Sequence, residues 1–329
     1  MLNWLGRLLG AGTPEYHPRR CLAVIYPDRG CRECVKACPH DAVSLETGRV
    51  RIDPLLCTSC GLCVGACPAE ALEADPEMVA RAILDAPADR AVAACSEAGA
   101  DGDVNVTCHA RLQPSAFLAA GLTGRQLEVV AGDCAKCPVG SAGVPETVRA
   151  TAAAAEREAA ANGRKVAWTW HGPDTPYTPA TARRDVLRRA VRNGVGAFRE
   201  NVDEALAGWP QLLGEQSKPL PRERTMRREL LAGAADSKGA VAWPEVRVNQ
   251  NCILCPVCTQ VCPTEALQRV IEPGQTVLYL DIARCTGCNA CAEACGFDAV
   301  KVDPAGRAAV KALDSPLRQA VFGGREPGA

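Results

Sequence analysis

Sixteen of the chain's twenty cysteines repeat one spacing four times, and closing four such loops leaves a chain little freedom in how it folds. Cys57, Cys60, Cys63 and Cys67 before Pro68, and Cys252, Cys255, Cys258 and Cys262 before Pro263, are complete Cys-x2-Cys-x2-Cys-x3-Cys-Pro runs. Cys285, Cys288, Cys291 and Cys295 keep the spacing but end on Gly296. The fourth run stretches its first gap: Cys21, nine residues, then Cys31, Cys34, Cys38 and Pro39. Residues three apart in a tight loop turn three sulfurs inward, and the fourth cysteine, expected at the start of a helix behind proline, reaches away from them. This is the spacing of runs that hold iron–sulfur clusters. A disulfide framework belongs to short secreted chains, which 329 residues without a signal-peptide pattern do not resemble. Zinc ribbons pair two Cys-x2-Cys knuckles across a longer loop and have no use for a third cysteine. No Cys-x2-Cys-His occurs, which excludes covalent haem attachment by that motif.

Residues beyond the ligand runs extend the pattern. Ala69-Glu70-Ala71-Leu72 and Thr264-Glu265-Ala266-Leu267 follow two of them, while strand-like Arg49–Ile52 and Val277–Leu280 lead into Asp53-Pro54 and Asp281 just before two others. Residues 21–80 and 244–304 thereby resemble bacterial two-cluster [4Fe-4S] ferredoxins. That resemblance implies two α+β modules in which the fourth thiolate of each run serves the neighbouring cluster. Cluster 1 would take Cys21, Cys31, Cys34 and Cys67; cluster 2, Cys57, Cys60, Cys63 and Cys38. Cluster 3 would take Cys252, Cys255, Cys258 and Cys295; cluster 4, Cys285, Cys288, Cys291 and Cys262. The long gap after Cys21 departs from the family pattern. So does Gly296, which loosens the start of the expected helix.

From residue 88 to 172 short apolar runs alternate with helical stretches. Strands are expected at 91–94, 104–107, 127–130 and 165–170, with helices near 114–121 and 145–162. Such alternation implies a small α/β domain with a parallel sheet. Cys95, Cys108 and Cys134 each follow an expected strand, and Cys137 is three residues on, so all four fall on the carboxyl edge where open α/β sheets bind ligands. They are expected to meet and hold a fifth iron–sulfur cluster, [4Fe-4S] or [2Fe-2S]. Zinc at the same four thiols, a redox-active Cys134/Cys137 pair, and buried unligated thiols are the alternatives. Val106–Pro114 and Val129–Cys134 resemble the small iron–sulfur subunit of methyl-viologen-reducing hydrogenases, although only Cys95 stands where that family has a leading pair of cysteines. This resemblance favours iron. His109 reads as a polar turn residue that could hydrogen-bond a cluster sulfur, Lys136 as a solvent-facing or potential-raising charge, and Trp168, Trp170 and Trp243 as packing.

The rest is organisation. Residues 1–20 begin with an amphipathic segment bearing Leu2, Leu5, Leu8 and Leu9, suited to packing on the adjacent module, a partner subunit or a membrane surface. Residues 173–243 form an Arg-rich helical linker. Arg183, Arg184, Arg188, Arg189 and Arg192 precede Gly194 and Gly196, and Arg222, Arg224, Arg227 and Arg228 follow; both groups are expected to be solvated helix faces, with packing on the chain's own modules as the alternative. Residues 305–329 are a tail. The formal charge is −1, and five oxidised clusters at about −2 each would bring it to roughly −11, which argues against nucleic acid. No run of eighteen apolar residues appears. Arg19-Arg20 lacks the apolar stretch of a twin-arginine signal, so a cytoplasmic location is expected, with peripheral membrane association through a partner complex as a variant. No flavin or nicotinamide Gly-x-Gly-x-x-Gly, P-loop, His-Glu-x-x-His or serine-nucleophile motif occurs, so no catalytic residue is assigned. The expectation is an electron-transfer subunit serving partners such as a hydrogenase, a formate dehydrogenase or a flavin-dependent oxidoreductase. A redox enzyme with an open iron at the central site and a redox-responsive regulator are the competing classes.

Overall fold

A computed structural model describes residues 12–87, 89–161, 163–178, 220–232, 240–272, 275–303, 307–309 and 318–323. The amphipathic start, the first arginine group and most of the tail lie outside the described residues.

The two cysteine-rich ends share one plan. In the first, Glu15–Tyr16 pairs antiparallel with Leu72–Glu73 around the hairpin Val43–Glu46/Arg49–Ile52. In the second, Glu245–Val248 pairs with Val300–Asp303 around the hairpin Leu267–Glu272/Gln275–Asp281. The strand Arg318–Gly323 adds a third strand to the second hairpin. The helices between these strands, such as Glu33–Ala37, Leu62–Gly65, Val257–Gln260 and Ala290–Glu293, are four or five residues long. That is too short for a helix to hold itself together, so tertiary contacts and ligation must do so.

The repeat extends to single torsion angles. Asp41, Glu70, Glu265 and Asp298 each stand three residues after a fourth cysteine and adopt left-handed φ of 52°, 50°, 56° and 49°. The next residue is always a buried alanine: Ala42, Ala71, Ala266 and Ala299. The sequence carries this signal as Cys-Pro/Gly-x-Asp/Glu-Ala, although left-handed backbone is uncommon for carboxylate residues. Two expectations change here. The fourth cysteine does not open a helix; Cys38 caps the end of Glu33–Ala37, and proline then stops the helix because it cannot continue the hydrogen-bond ladder. Gly296 loosens nothing, because the bend after it matches those behind the prolines.

The centre is a four-stranded parallel sheet in the order Val104–Val106, Arg90–Cys95, Gln126–Val130, Ala167–His171. Ala91, Val92, Ala93, Leu127 and Val129 are fully buried, as strands must be when helices cover both faces. Helix Pro114–Thr123 is buried from Ser115 to Gly121, and Val144–Ala161 buries Val148, Ala152 and Ala155. Helix Pro76–Leu84 adds Val79, Ala80 and Ile83 to this same core. Trp168 packs edge-on to Phe117 at 5.6 Å between ring centres.

Two arginines of the second group, Arg224 and Arg227, overturn the expectation of a solvated face, whereas Arg222 keeps a partly solvated side chain. Helix Arg222–Ala232 is wedged between all three parts, and Arg224 and Arg227 are buried. Arg222 reaches Asp75 at 2.8 Å and Glu15 at 3.0 Å, Arg224 reaches Glu70 at 2.9 Å, and Arg227 pairs with Glu158. Both buried guanidinium groups stack on Trp243, 4.9 and 4.6 Å from the ring centre. Arg222 and Arg224 meet acids of the first module and Arg227 an acid of the central domain, and a planar guanidinium can pair and stack at once.

Candidate iron–sulfur sites

All twenty cysteines are free thiols, and the chain gathers them into the five expected sets of four. Cys21, Cys31, Cys34 and Cys67 line a cavity of about 350 Å³. Cys38, Cys57, Cys60 and Cys63 line one of about 300 Å³. Cys262, Cys285, Cys288 and Cys291 line one of about 320 Å³. In the remaining ferredoxin-type set, the Cys258 thiol is pushed up to about 11, first by burial and then by the charges of Cys252, Cys255 and Cys295 around it. The stretched gap after Cys21 does not displace that residue, which is buried among its three partners.

The central four thiols come together by a different route. Cys95 ends the strand Arg90–Cys95, Cys108 follows Val104–Val106 by two residues, and Cys134 and Cys137 lie in the loop after Gln126–Val130. They meet at the carboxyl edge, where the two inner strands feed connections to opposite sides of the sheet, and line a cavity of about 290 Å³. Gly140 lets this loop close over Cys108, because a Cβ there would stand 2.9 Å from its sulfur.

The size of the central cavity separates the candidate ligands. A single zinc ion at about 2.3 Å from each thiolate draws four sulfurs to within roughly 3.8 Å of one another. Among the described residues, the only group of three or more metal-ligating side chains with all ligand atoms within 4.8 Å is Glu15, His17 and Glu73, and Glu73 is already held by Arg20. No three thiols of the central set close that far, nor do three of any ferredoxin-type set. Like the ferredoxin-type thiols, the central thiols line one cavity without closing to the spacing of a zinc ligand set.

Electrostatics add a condition that any metal must meet. Burial, reinforced by neighbouring thiols, pushes Cys63 and Cys108 up to about 12 and Cys34 and Cys134 up to about 11. Buried thiols so close together cannot all ionise without a cation, so any metal held here must displace their protons. Backbone N–H groups are already aimed at several sulfurs. Ala71 donates to Cys67 and Ala266 to Cys262, both at 3.2 Å, and Ala299 donates to Cys295 at 3.4 Å. Val139 and Gly140 donate to Cys137 at 3.4 and 3.3 Å. Hydrogen bonds to the sulfurs are among the levers that set a cluster's potential.

His109 lines the central cavity and is buried. Its Nε2 lies 2.8 Å from the Val130 carbonyl, an acceptor, so this nitrogen donates. Burial lowers its pKa to about 4, leaving a neutral ring whose buried Nδ1 has no protein partner. Trp170 packs edge-on against it. Lys136 is 86% exposed and pairs with Asp133 at 3.3 Å, so its charge is spent in solvent.

Two residues escaped the sequence reading. His40 Nε2 and Thr58 Oγ1, both lining the cavity of Cys38, Cys57, Cys60 and Cys63, donate to the Val139 carbonyl at 2.8 and 2.7 Å. No spacing signals a bond across so many residues of chain.

The 4Fe-4S dicluster domain family matches residues 28–71 and 251–299. The first match begins after Cys21. No curated protein and no solved structure gives a significant match. Two ferredoxin-type 4Fe-4S modules therefore flank a parallel sheet, and the chain has the character of an iron–sulfur electron-transfer protein. Among the described residues no helix is long and apolar enough to cross a membrane.

Proposed function

We propose that the chain relays single electrons between two redox proteins through four [4Fe-4S] clusters and a fifth iron–sulfur cluster in the central sheet, as a polyferredoxin-like subunit of an oxidoreductase complex. The observation that carries this reading is the common geometry of the thiol sets: four lining cavities of similar size, and none closed down around a single ion. Cluster 1 is assigned to Cys21, Cys31, Cys34 and Cys67, cluster 2 to Cys38, Cys57, Cys60 and Cys63, cluster 3 to Cys252, Cys255, Cys258 and Cys295, and cluster 4 to Cys262, Cys285, Cys288 and Cys291. Cys95, Cys108, Cys134 and Cys137 hold the fifth, and the local resemblance to a hydrogenase iron–sulfur subunit agrees with iron there.

When bound, each cluster supplies a site that takes up and gives back one electron. The residues around it keep water away, and N–H donors such as those of Ala71, Ala266 and Gly140 soften the added negative charge. Partners of low potential, such as a hydrogenase, a formate dehydrogenase or a flavin-dependent oxidoreductase, suit thiolate-only ligation. Because all four central thiols face one cavity, an open iron site has no missing ligand to support it. Anaerobic EPR of the reduced protein and of Cys134→Ser tests the reading: the variant loses one signal and keeps the rest. Unchanged spectra in the variant would remove the central site from the electron path.

A further inference from the structure

The nine residues between Cys21 and Cys31 break the spacing of the other runs, and ligation does not need them. They fold into a helical turn, Leu22–Ile25, and a tighter one, Pro27–Arg29; Gly30, at φ 62°, then returns the chain to Cys31. Ala23 joins the first module's own core, and other residues of the insertion reach across to the second module. Leu22 is buried in an apolar seam with Ala69, Val261 and Ala290, and Ile25 and Tyr26 pack on its edge. Arg29 donates from Nη1 to the Cys288 carbonyl at 2.7 Å and pairs through Nε with Glu293 at 3.1 Å. Cys31 and Cys67 of set 1 and Cys288 of set 4 border this same seam.

The other neighbours complete an order. Cys60 of set 2 and Cys108 of the central set share one core. Thr58 and His40 on one side and Val139 on the other fasten those two sites together. Within the modules, Cys34 of set 1 and Cys63 of set 2 border one core, and Cys258 of set 3 and Cys291 of set 4 share another.

We infer that the insertion between Cys21 and Cys31 is a docking element that joins the two ferredoxin-type modules and sets all five thiol sets in one series. The order is the central set, then sets 2, 1, 4 and 3. This rests on the proposed iron–sulfur function. Arg29 is its positioning residue, and the seam formed by Leu22, Ala69, Val261 and Ala290 is the junction. One end of the series is the carboxyl edge of the sheet. The other is the loop of set 3, where Ile253 and Phe297 are 60% and 48% exposed.

The test uses the full-length holoprotein and two junction variants, Arg29→Glu and Ile25→Asp, neither at a ligand position. Iron and acid-labile sulfide are counted, and EPR line shape and power saturation are recorded after reduction with dithionite. Clusters reduced on both sides of the junction relax and broaden one another through space. The expected result is unchanged iron in at least one variant, with narrower lines that saturate at lower microwave power than in the native protein. A variant that keeps its iron and reproduces the native spectrum would overturn the inference. Loss of about four irons in both variants would overturn it too, since the insertion would then be building set 1. Failure of the iron–sulfur reading itself is a separate result: native protein without labile sulfide.

Discussion

The ferredoxin-type modules and the central sheet perform the same task, bringing four thiols around one cavity, by opposite means. In the modules, three of each four thiols come from one run of chain, stretched only in set 1 by the insertion after Cys21, and the surrounding core is itself partly cysteine: Cys21 and Cys63 sit among Ala23, Val43, Val50 and Leu72. In the centre, the thiols come from the ends of three different strands, over a core made mostly of Ala, Val, Leu and Phe that Cys108 joins at its rim. Where ligands are neighbours in sequence, metal makes the fold. Where they are brought together by topology, the fold makes the site.

The largest effect to expect is from removing iron. Hydrogen exchange of the iron-free protein should show protection lost across the ligand loops and hairpins of both modules and retained in Arg90–Cys95 and Gln126–Val130. Equal loss in both regions would erase the contrast. Next in size are two breaks of buried packing. Phe117→Ala removes a fully buried ring from the central core and should cost about 3–5 kcal/mol. The central EPR signal should then fade while the ferredoxin-type signals persist. Arg227→Ala removes the cation facing Glu158 and one of the two guanidinium groups on Trp243, and should cost about 3–5 kcal/mol by denaturant unfolding. Because that helix touches all three parts, its loss should make their unfolding less cooperative.

Smaller is Gly61→Ala. Gly61 has φ 85°, and a Cβ there would stand 2.8 Å from Arg111 Cγ; strain of about 1–3 kcal/mol is expected, read as a lowered melting temperature with iron content kept. The remaining effect is a pH dependence. Burial pushes the Glu223 carboxyl from 4.5 up to about 8, against the bonds it accepts from the Ser115 N–H and hydroxyl at 2.8 and 2.6 Å. A raised folded pKa favours the protonated acid, so the cost to folding is absent below about 4.5, grows as pH rises and is complete above about 8. Glu223→Gln lacks that cost. Its melting temperature relative to the native protein should rise between pH 5 and pH 8; a difference independent of pH would show that Glu223 does not titrate in this range.

The same contrast explains what could be read in the amino-acid order. Spacing of three announces a ligand loop because the geometry is local, and the alternation between Ala91 and Val130 announces a parallel sheet for the same reason. The convergence of Cys95, Cys108, Cys134 and Cys137 was legible only through the rule that strand ends gather at one edge. The junctions were not legible. Arg29 and Cys288 are far apart in the chain, as are His40 and Val139, and nothing local distinguishes a guanidinium that will stack on Trp243 from one in water. The arginines of Arg222–Ala232 looked solvated because charge usually is, and acids from other parts of the chain reversed that.

The most direct test of the account is iron, acid-labile sulfide and zinc counted per chain in protein prepared anaerobically. Five clusters require about twenty irons with equal sulfide, or eighteen of each if the central cluster is [2Fe-2S], and no zinc. Sixteen irons with one zinc would contradict it, leaving two ferredoxin-type modules beside a sheet that carries no electrons.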